Sequence, residues 1–460
     1  MMHDAAPFLT LHPVLASPGR PTWEGAEWVG EVWVDVVDAV AASSDSTGLP
    51  VQCGLEAAEG YRQARLLVRT EDRTLGFVKI GVSNGNVDFL ELERRIAGMR
   101  PTASTAPESG GSGETRRGGA VAVTVVMCTR DRPAMLRVAL ESVLAVDYPD
   151  FETIVVDNAS KTDATREYVL KLSHPRVKLI YEPRPGASRA RNAGLLAASG
   201  DVVAFVDDDV VVDRYWLRAL VNGFTRGPSV SCVSGIVPAA EIRTPAQAYF
   251  DRRVGWSDST RARVYDWACP PPDVPLFPFA VRCYGTGASF AVERDVAVHL
   301  GGFDELLGPG TTTCGGEDLD LFFRILRSGR QLVHDPAAIA WHRHRADNEA
   351  LLAQTRGYGL GLGAWLAKIA HEPETAWLAV KTAAIRAPAL VRHLRGASTE
   401  SAPPASLAHL LPSGIGDETL RFIGEGARAY RSARRDKGRP ERRRPPHVHG
   451  AASVEWVVGS

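Results

Sequence analysis

Residues 201–213, DVVAFVDDDVVVD, decide how the chain folds and where its chemistry lies. Positions 202–206 are all apolar, as in a strand buried on both faces, and the run ends in Asp207, Asp208 and Asp209. Three adjacent carboxylates repel one another unless a cation sits among them. Hard divalent cations take oxygen ligands, and Mg2+ is commonly shared between one or two carboxylates and the phosphates of a substrate. The stretch therefore suits a metal–diphosphate site at a strand end. A solvated acidic loop, with Asp213 capping the next helix, is the plain alternative. A phosphatase-like Asp-x-Asp nucleophile is the competing chemistry.

Outward from this strand, VAVTVVM (121–127), TIVVD (153–157) and VKLIY (177–181) are three more short apolar runs. Helical stretches separate them. The first has Pro133 in its opening turn, the second has Thr162 and Asp163 as candidate caps and runs to Leu172, and the third spans about Ser188 to Ala198. Strand–helix alternation of this kind predicts an α/β domain, a mostly parallel, Rossmann-like sheet with helices on both faces. Such sheets bind ligands at the carboxyl ends of their strands. Thr129, Asp157 and Asp207 to Asp209 all fall at those ends.

Three further segments carry charge in a pattern. In GGEDLDLFFRILRSG (315–329), Leu319, Phe322, Phe323 and Leu326 line one face of a helix. Glu317 and Asp318 fall in its first turn, where the helix dipole favours an ionised carboxylate. A carboxylate held there suits proton removal from a hydroxyl nucleophile, although simple capping explains the pair as well. AIAWHRHRA (338–346) is an apolar strand followed by His342 and His344 on one face, and either imidazole suits a metal or internal packing. LIYEPRPGASRARNAGLLAASGD (179–201) sets Arg184, Arg189 and Arg191 around a glycine-containing loop that opens a helix, which suits phosphate or an ordinary basic turn.

The chain has 460 residues, 45% hydrophobic and 23% charged, which fits a soluble globular protein of several units and excludes wholesale disorder. Lys and Arg (53) nearly cancel Asp and Glu (54), so no basic field steers the chain to nucleic acid. The six cysteines are scattered without a CxxC pair, which supports neither a disulfide framework nor a thiolate zinc site and favours a reducing, cytoplasmic setting. The sequence shows no secretory signal and no membrane-spanning run. Residues 101–119, PTASTAPESGGSGETRRGG, read as a flexible linker. It sets apart an accessory α+β unit (1–100), in which ARLLVRT and LGFVKIGV form a hairpin and VDFLELERRIAGM a helix. Residues 346–430 read as a helical region rich in Ala, Leu, Lys and Arg, a candidate for peripheral membrane contact or a homodimer. Residues 431–460 read as a basic, disordered tail.

Read in order, VTVVMCTRDRPAMLRVALESVL, FETIVVDNASKTDAT, RPGASRARNAGLLAASGDVVAFVDDDVVVDRYWL, YGTGASFAVERDVAVHLGGFDE and GGEDLDLFFRILRSGRQLVHDPAAIAWHRH resemble a family 2 glycosyltransferase of the GT-A fold. The resemblance covers residues 120–345. It implies an inverting transfer of a sugar from a nucleoside-diphosphate donor (UDP-, dTDP- or GDP-linked) to the hydroxyl of a glycan, lipid-linked or small-molecule acceptor. It also implies Mn2+ or Mg2+ as cofactor and a place in the cytoplasm, including the inner face of the membrane. Thr129 and Arg130 match the nucleotide-facing turn, Asp157 the acid that holds the base, and Arg189 the loop that helps bind the nucleotide. Asp207 and Asp208 match the ribose-side and middle acids, Asp209 the metal ligand and Asp318 the general base. His342 matches a late histidine that completes the metal shell in some members, with His344 as the alternate. A non-catalytic nucleotide-sugar-binding or scaffold protein is the second functional class, and an Asp-nucleophile phosphatase the third.

Overall fold

The computed structural model describes residues 8–100, 121–274, 276–385, 405–412, 415 and 418–437. The proposed linker and residues 438–460 lie outside the described residues.

The N-terminal unit contains β1 (Phe8–Leu11), β2 (Glu27–Trp33), α1 (Val34–Thr47), β3 (Gln52–Leu55), β4 (Gln63–Arg69), β5 (Thr74–Gly81), β6 (Asn86–Val87) and α2 (Phe89–Met99). Two three-stranded sheets form, ordered β1-β3-β6 and β2-β4-β5. The β4–β5 hairpin is antiparallel, and inward residues alternate along β5, with Val78 and Ile80 buried. In α2, Phe89, Leu92 and Ile96 recur at helical spacing and are buried against this core. Asp88 caps the helix by accepting from Glu91 N at 3.0 Å.

The second unit begins with β7 (Val123–Thr129), α3 (Pro133–Leu144), β8 (Phe151–Asn158), α4 (Ala164–Leu172), β9 (Val177–Glu182), α5 (Ala187–Ala197) and β10 (Val202–Asp207). The four strands lie parallel in the order β10-β7-β8-β9. One face of the sheet packs Leu136, Leu140 and Trp216, and the other packs Phe205, Phe290 and Phe322. Burial on both sides explains why β7, β8 and β10 read as apolar runs, while β9, at the sheet edge, is only partly covered.

Beyond β10 the sheet becomes mixed. The chain continues through β11 (Val210–Val212), α6 (Trp216–Gly223), β12 (Val230–Ile236), α7 (Pro245–Val254), β13 (Arg263–Tyr265), β14 (Ser289–Glu293), α8 (Arg294–His299), α9 (Glu317–Arg327) and β15 (Gln331–His342). The full strand order is β11-β15-β12-β14-β10-β7-β8-β9, with β13 on β15. β14 runs antiparallel to both β10 and β12. Its first residue, Ser289, therefore pairs with Val206, and the loop before it arrives at the end of the sheet that holds the acid run.

The two units share a core. Val29 of β2 and Leu67 of β4 are buried with Ile236, Ile242, Ile339 and Trp341 of the second unit. Glu27 N donates to Ile242 O at 2.8 Å, and Thr74 Oγ1 to Pro336 O at 2.8 Å. Arg69, 1% exposed at its side chain, pairs with Asp213 at 2.6 Å.

The C-terminal helices are α10 (Asn348–His371), α11 (Pro373–Ile385) and α12 (Glu418–Lys437). Residues 431–437, expected to belong to a tail, continue α12. Helices α10 and α12 cross at backbone distance, and a Cβ added at Gly363 would lie 1.9 Å from Ile423 O. Among the described residues, no helix is long and apolar enough to cross a membrane.

Candidate active site

The acid run leaves the end of β10 and is met by side chains from three other places in the chain. Strand β11 follows it directly and pairs antiparallel with β15, so that Val210 lies opposite His342. That register sets His342 against Asp209, with Nε2 and Oδ1 3.3 Å apart. Arg343 N donates to Asp209 O at 2.9 Å and locks the same alignment. His344 sits behind His342, their Nδ1 atoms 2.8 Å apart. Both imidazoles are buried, with Trp256 edge-on to His342 at 5.8 Å and Phe250 edge-on to His344 at 4.7 Å.

Each acid has its own cation. Asp207 accepts from Arg191 Nη2 at 2.9 Å. Asp208 accepts from Thr129 Oγ1 at 2.7 Å and from Arg132 Nη1 at 3.1 Å. The same Arg132 atom reaches Asp209 Oδ2 at 3.3 Å, and Arg345 pairs with that oxygen at 3.2 Å. Burial, reinforced by the charge of Asp209, pushes the Asp208 carboxyl up to about 6. Burial acts on Asp209 as well, but His342, Arg345 and Arg132 outweigh it and hold that carboxyl well below the usual range. Two adjacent acids are thus driven in opposite directions, and Asp209 is the one kept ionised.

Arg191 ties this cluster to the Glu-Asp loop. Its Nη1 donates to Glu317 Oε1 at 2.6 Å and its Nη2 to Gly287 O at 3.2 Å. Glu317 is 5% exposed, and burial outweighs Arg191 to push its carboxyl up to about 7. Asp318 faces the other way. Its Oδ2 accepts from Gly287 N at 2.7 Å and its Oδ1 from Leu319 N at 2.8 Å. Two backbone donors thus fix the plane of that carboxylate and leave further lone pairs open. Residue Gly287 therefore joins Asp318, through its N–H, to Arg191, through its carbonyl, and Arg191 in turn reaches Asp207.

Other sequence-derived candidates lie around this centre. Asp157, 5% exposed at the end of β8, has an Oδ1 without a hydrogen-bond partner, and burial raises its carboxyl. Arg130 stands half exposed, 3.9 Å from Asp131. Arg189 is occupied by Glu305 Oε2 at 3.2 Å and Pro185 O at 3.0 Å. The arginines that contact the acids are instead Arg132, Arg191 and Arg345. Residues 189 and 191 are about 200° apart around a helix, so only one of them faces the acids. Helical spacing shows that opposition, but not which arginine turns inward.

Acids at the carboxyl ends of a partly parallel sheet, with a histidine returned to them by a neighbouring strand, lie where open α/β sheets bind ligands. Residues 124–277 match the family model described as glycosyl transferase family 2. The chain is similar to the pre-mycofactocin glycosyltransferase of Mycobacterium tuberculosis, 29% identical over 65% of this chain and 57% of that protein. It thus spans a little over half the length of that relative. It is also similar to the inactive polypeptide N-acetylgalactosaminyltransferase-like protein 5 of Mus musculus, 28% identical over 44% of this chain and 49% of that one. Among solved structures, the mannosyltransferase of Pyrobaculum calidifontis in complex with GDP-Man and Mn2+ aligns over 76% of this chain and 95% of its own, with 21% identity and a TM-score of 0.43. The family match lies within residues 124–277, which hold strands β7 to β10 and the acid run.

Proposed function

We propose that the chain transfers a sugar from a nucleoside-diphosphate donor to an acceptor hydroxyl, with inversion and with a divalent cation bound at Asp209 and His342. The observation that carries the reading is the meeting of Asp209 and His342 at 3.3 Å, with Asp318 joined to the same cluster through Gly287. Two donors about 3 Å apart span one edge of an octahedron with ~2.1 Å bonds, so the pair fits a divalent cation. Among the described residues no group of three or more His, Cys, Asp or Glu is spaced to hold a metal alone. The donor diphosphate and water would supply the remaining ligands. When bound, the cation neutralises charge that develops on the leaving diphosphate.

The chain's own residues do the rest. The partnerless Oδ1 of Asp157, between Thr129 and the β9 edge, accepts an N–H of the nucleobase. Arg132, which bridges Asp208 and Asp209 and is 40% exposed at its side chain, presents a guanidinium to the phosphates. Asp318 takes the proton from the acceptor hydroxyl as it attacks the anomeric carbon opposite the diphosphate. Glu317 does not share that task, because Arg191 occupies it in a buried pair. The donors to consider are UDP-, dTDP- and GDP-sugars, and the acceptors glycans, lipid-linked sugars or small molecules.

Similarity to an inactive relative favours one second reading, a nucleotide-sugar binder without turnover. One experiment addresses both. Melting temperature is measured with UDP, GDP and dTDP, with and without Mn2+, followed by assay of the matching sugar donors. Mn2+-dependent stabilisation with donor turnover is expected. Stabilisation without turnover on any acceptor or water leaves the binder, and no stabilisation by any of the three sinks both readings.

A further inference from the structure

The imidazoles behind Asp209 lead away from the acids to a residue of the N-terminal unit. A histidine whose Nε2 lone pair faces a cation carries its proton on Nδ1. For His342 that proton goes to His344 Nδ1, 2.8 Å away. His344 must then carry its own proton on Nε2, a buried atom without a hydrogen-bond partner in this structure that lies 3.5 Å from Asp251 Oδ1. Asp251 lies in the last turn of α7, and its Oδ1 also accepts from Ala239 N at 3.3 Å. Its Oδ2 accepts from Arg65 Nη1 at 2.5 Å. Arg65 belongs to β4, with its guanidinium 4.3 Å above the Phe77 ring.

Every member of this chain is shielded from water. Side-chain exposure is 12% for Arg65, 9% for Asp251, 0% for His344 and 6% for His342. Phe250 and Trp256 close the flanks of both rings. Gln247 of α7 holds the backbone of the strand extension by donating to His344 O at 3.2 Å. With its backbone pinned and its flanks apolar, the His344 ring has the Asp251 carboxylate, 3.5 Å from Nε2, as its neighbouring acceptor. Carboxylates behind a ligating imidazole fix its tautomer and orientation. Here the same logic passes through two rings and ends on another unit of the protein.

We propose that Arg65, Asp251 and His344 are positioning residues, through which the N-terminal unit sets the tautomer and aim of His342 toward the divalent cation. The proposal rests on the donor-site reading above. It gives the N-terminal unit a part in donor binding although it supplies no group to the donor. Removing that unit would leave the Asp251 carboxylate buried without its cation, an arrangement that is strongly unfavourable.

The test uses the full chain and reads metal affinity rather than turnover. Mn2+ is titrated by calorimetry in the presence of whichever of UDP, GDP and dTDP raises the melting temperature most. Asp251→Asn should weaken Mn2+ about 10–100-fold, the usual effect of losing such a partner, while nucleotide affinity in EDTA stays at the wild-type value. Arg65→Lys keeps the charge but loses the planar fork, and should weaken Mn2+ severalfold. Thr74→Val, which removes a different bond between the two units, should leave Mn2+ affinity unchanged. Wild-type Mn2+ affinity in folded Asp251→Asn overturns the relay. If that variant does not fold, wild-type affinity in Arg65→Lys overturns it instead. A wild-type chain that takes up no Mn2+ with any of the three nucleotides overturns the donor-site reading, and the relay with it.

Discussion

The two acidic clusters of the site are held in different ways. Asp207, Asp208 and Asp209 are held by side-chain cations, Arg191, Arg132 and Arg345, together with His342. Asp318 is held by the backbone, through the N–H groups of Gly287 and Leu319. Its loop is in turn pressed by backbone, since a Cβ added at Gly361 of α10 would meet Gly315 C at 2.7 Å and Gly316 N at 2.9 Å. Arginine side chains can swing to a phosphate when a charged donor arrives. Backbone donors cannot, so they suit a group that must keep one aim through the reaction. In the proposed reaction the first cluster would exchange partners through Arg132, its most exposed arginine, and the second would stay still.

The largest effect should come from the still cluster. Asp318→Asn keeps the shape but loses the base, and kcat should fall about 10²–10⁴-fold with donor affinity unchanged. Near-normal turnover in that folded variant would reduce Asp318 to a helix cap, which asparagine also serves. In the exchanging cluster, Asp209→Asn should weaken Mn2+-dependent donor binding about 100-fold and leave metal-free nucleotide binding intact. Unchanged Mn2+ dependence moves the ligand to Asp207 or Asp208.

A smaller effect separates the two kinds of support. Gly361→Ala forces the Gly315–Gly316 backbone to shift, and since small misplacements of a reacting group are costly, kcat should fall about tenfold. Donor affinity should fall less, because α10 reaches the acid run only indirectly, through Glu317 and Arg191 and through Tyr358 against Phe250 and Trp256. An equal loss of donor affinity would mean that the two clusters move as one.

The smallest effect is a pH dependence. Burial raises Glu317 from 4.5 to about 7, so its ionised form is disfavoured on folding. Its contribution to stability is fully present below pH 4.5 and is lost as pH rises through 7. The melting temperature of the wild type minus that of Glu317→Gln should therefore fall by a few degrees between pH 4.5 and 7 and level off above. A flat difference would mean that Arg191 keeps Glu317 ionised throughout.

Much of the fold is legible in the sequence because its signals are local. The runs 121–127, 153–157 and 202–206 are strands covered on both faces, and an apolar run reports that directly, whereas 177–181 is an edge strand with Lys178 and Tyr181 exposed. Strand β5 and the helices α2 and α9 show their buried faces in alternation or in helical spacing. The antiparallel insertion of β14 is not legible, because a five-residue apolar strand carries no mark of its direction. Arg132, Arg191 and Arg345 were missed as partners of the acids for a related reason. An arginine looks the same in sequence whether it faces solvent or a buried carboxylate.

The sequence by itself determined an α/β domain with acids at its strand ends, a glutamate–aspartate pair opening a helix, and two histidines after a late strand. Strand burial and helix-terminal electrostatics act over a few residues, so residue order is enough to specify them. Only the tertiary structure decided which histidine meets Asp209, because that depends on the register between β11 and β15, strands more than a hundred residues apart. It alone decided that the N-terminal unit shares the core beside the site, with Arg65 on Asp251, since a contact between distant segments depends on how whole elements pack. The charge carried by each acid is tertiary too, because burial and neighbouring cations set it, and neither is a property of the residue itself.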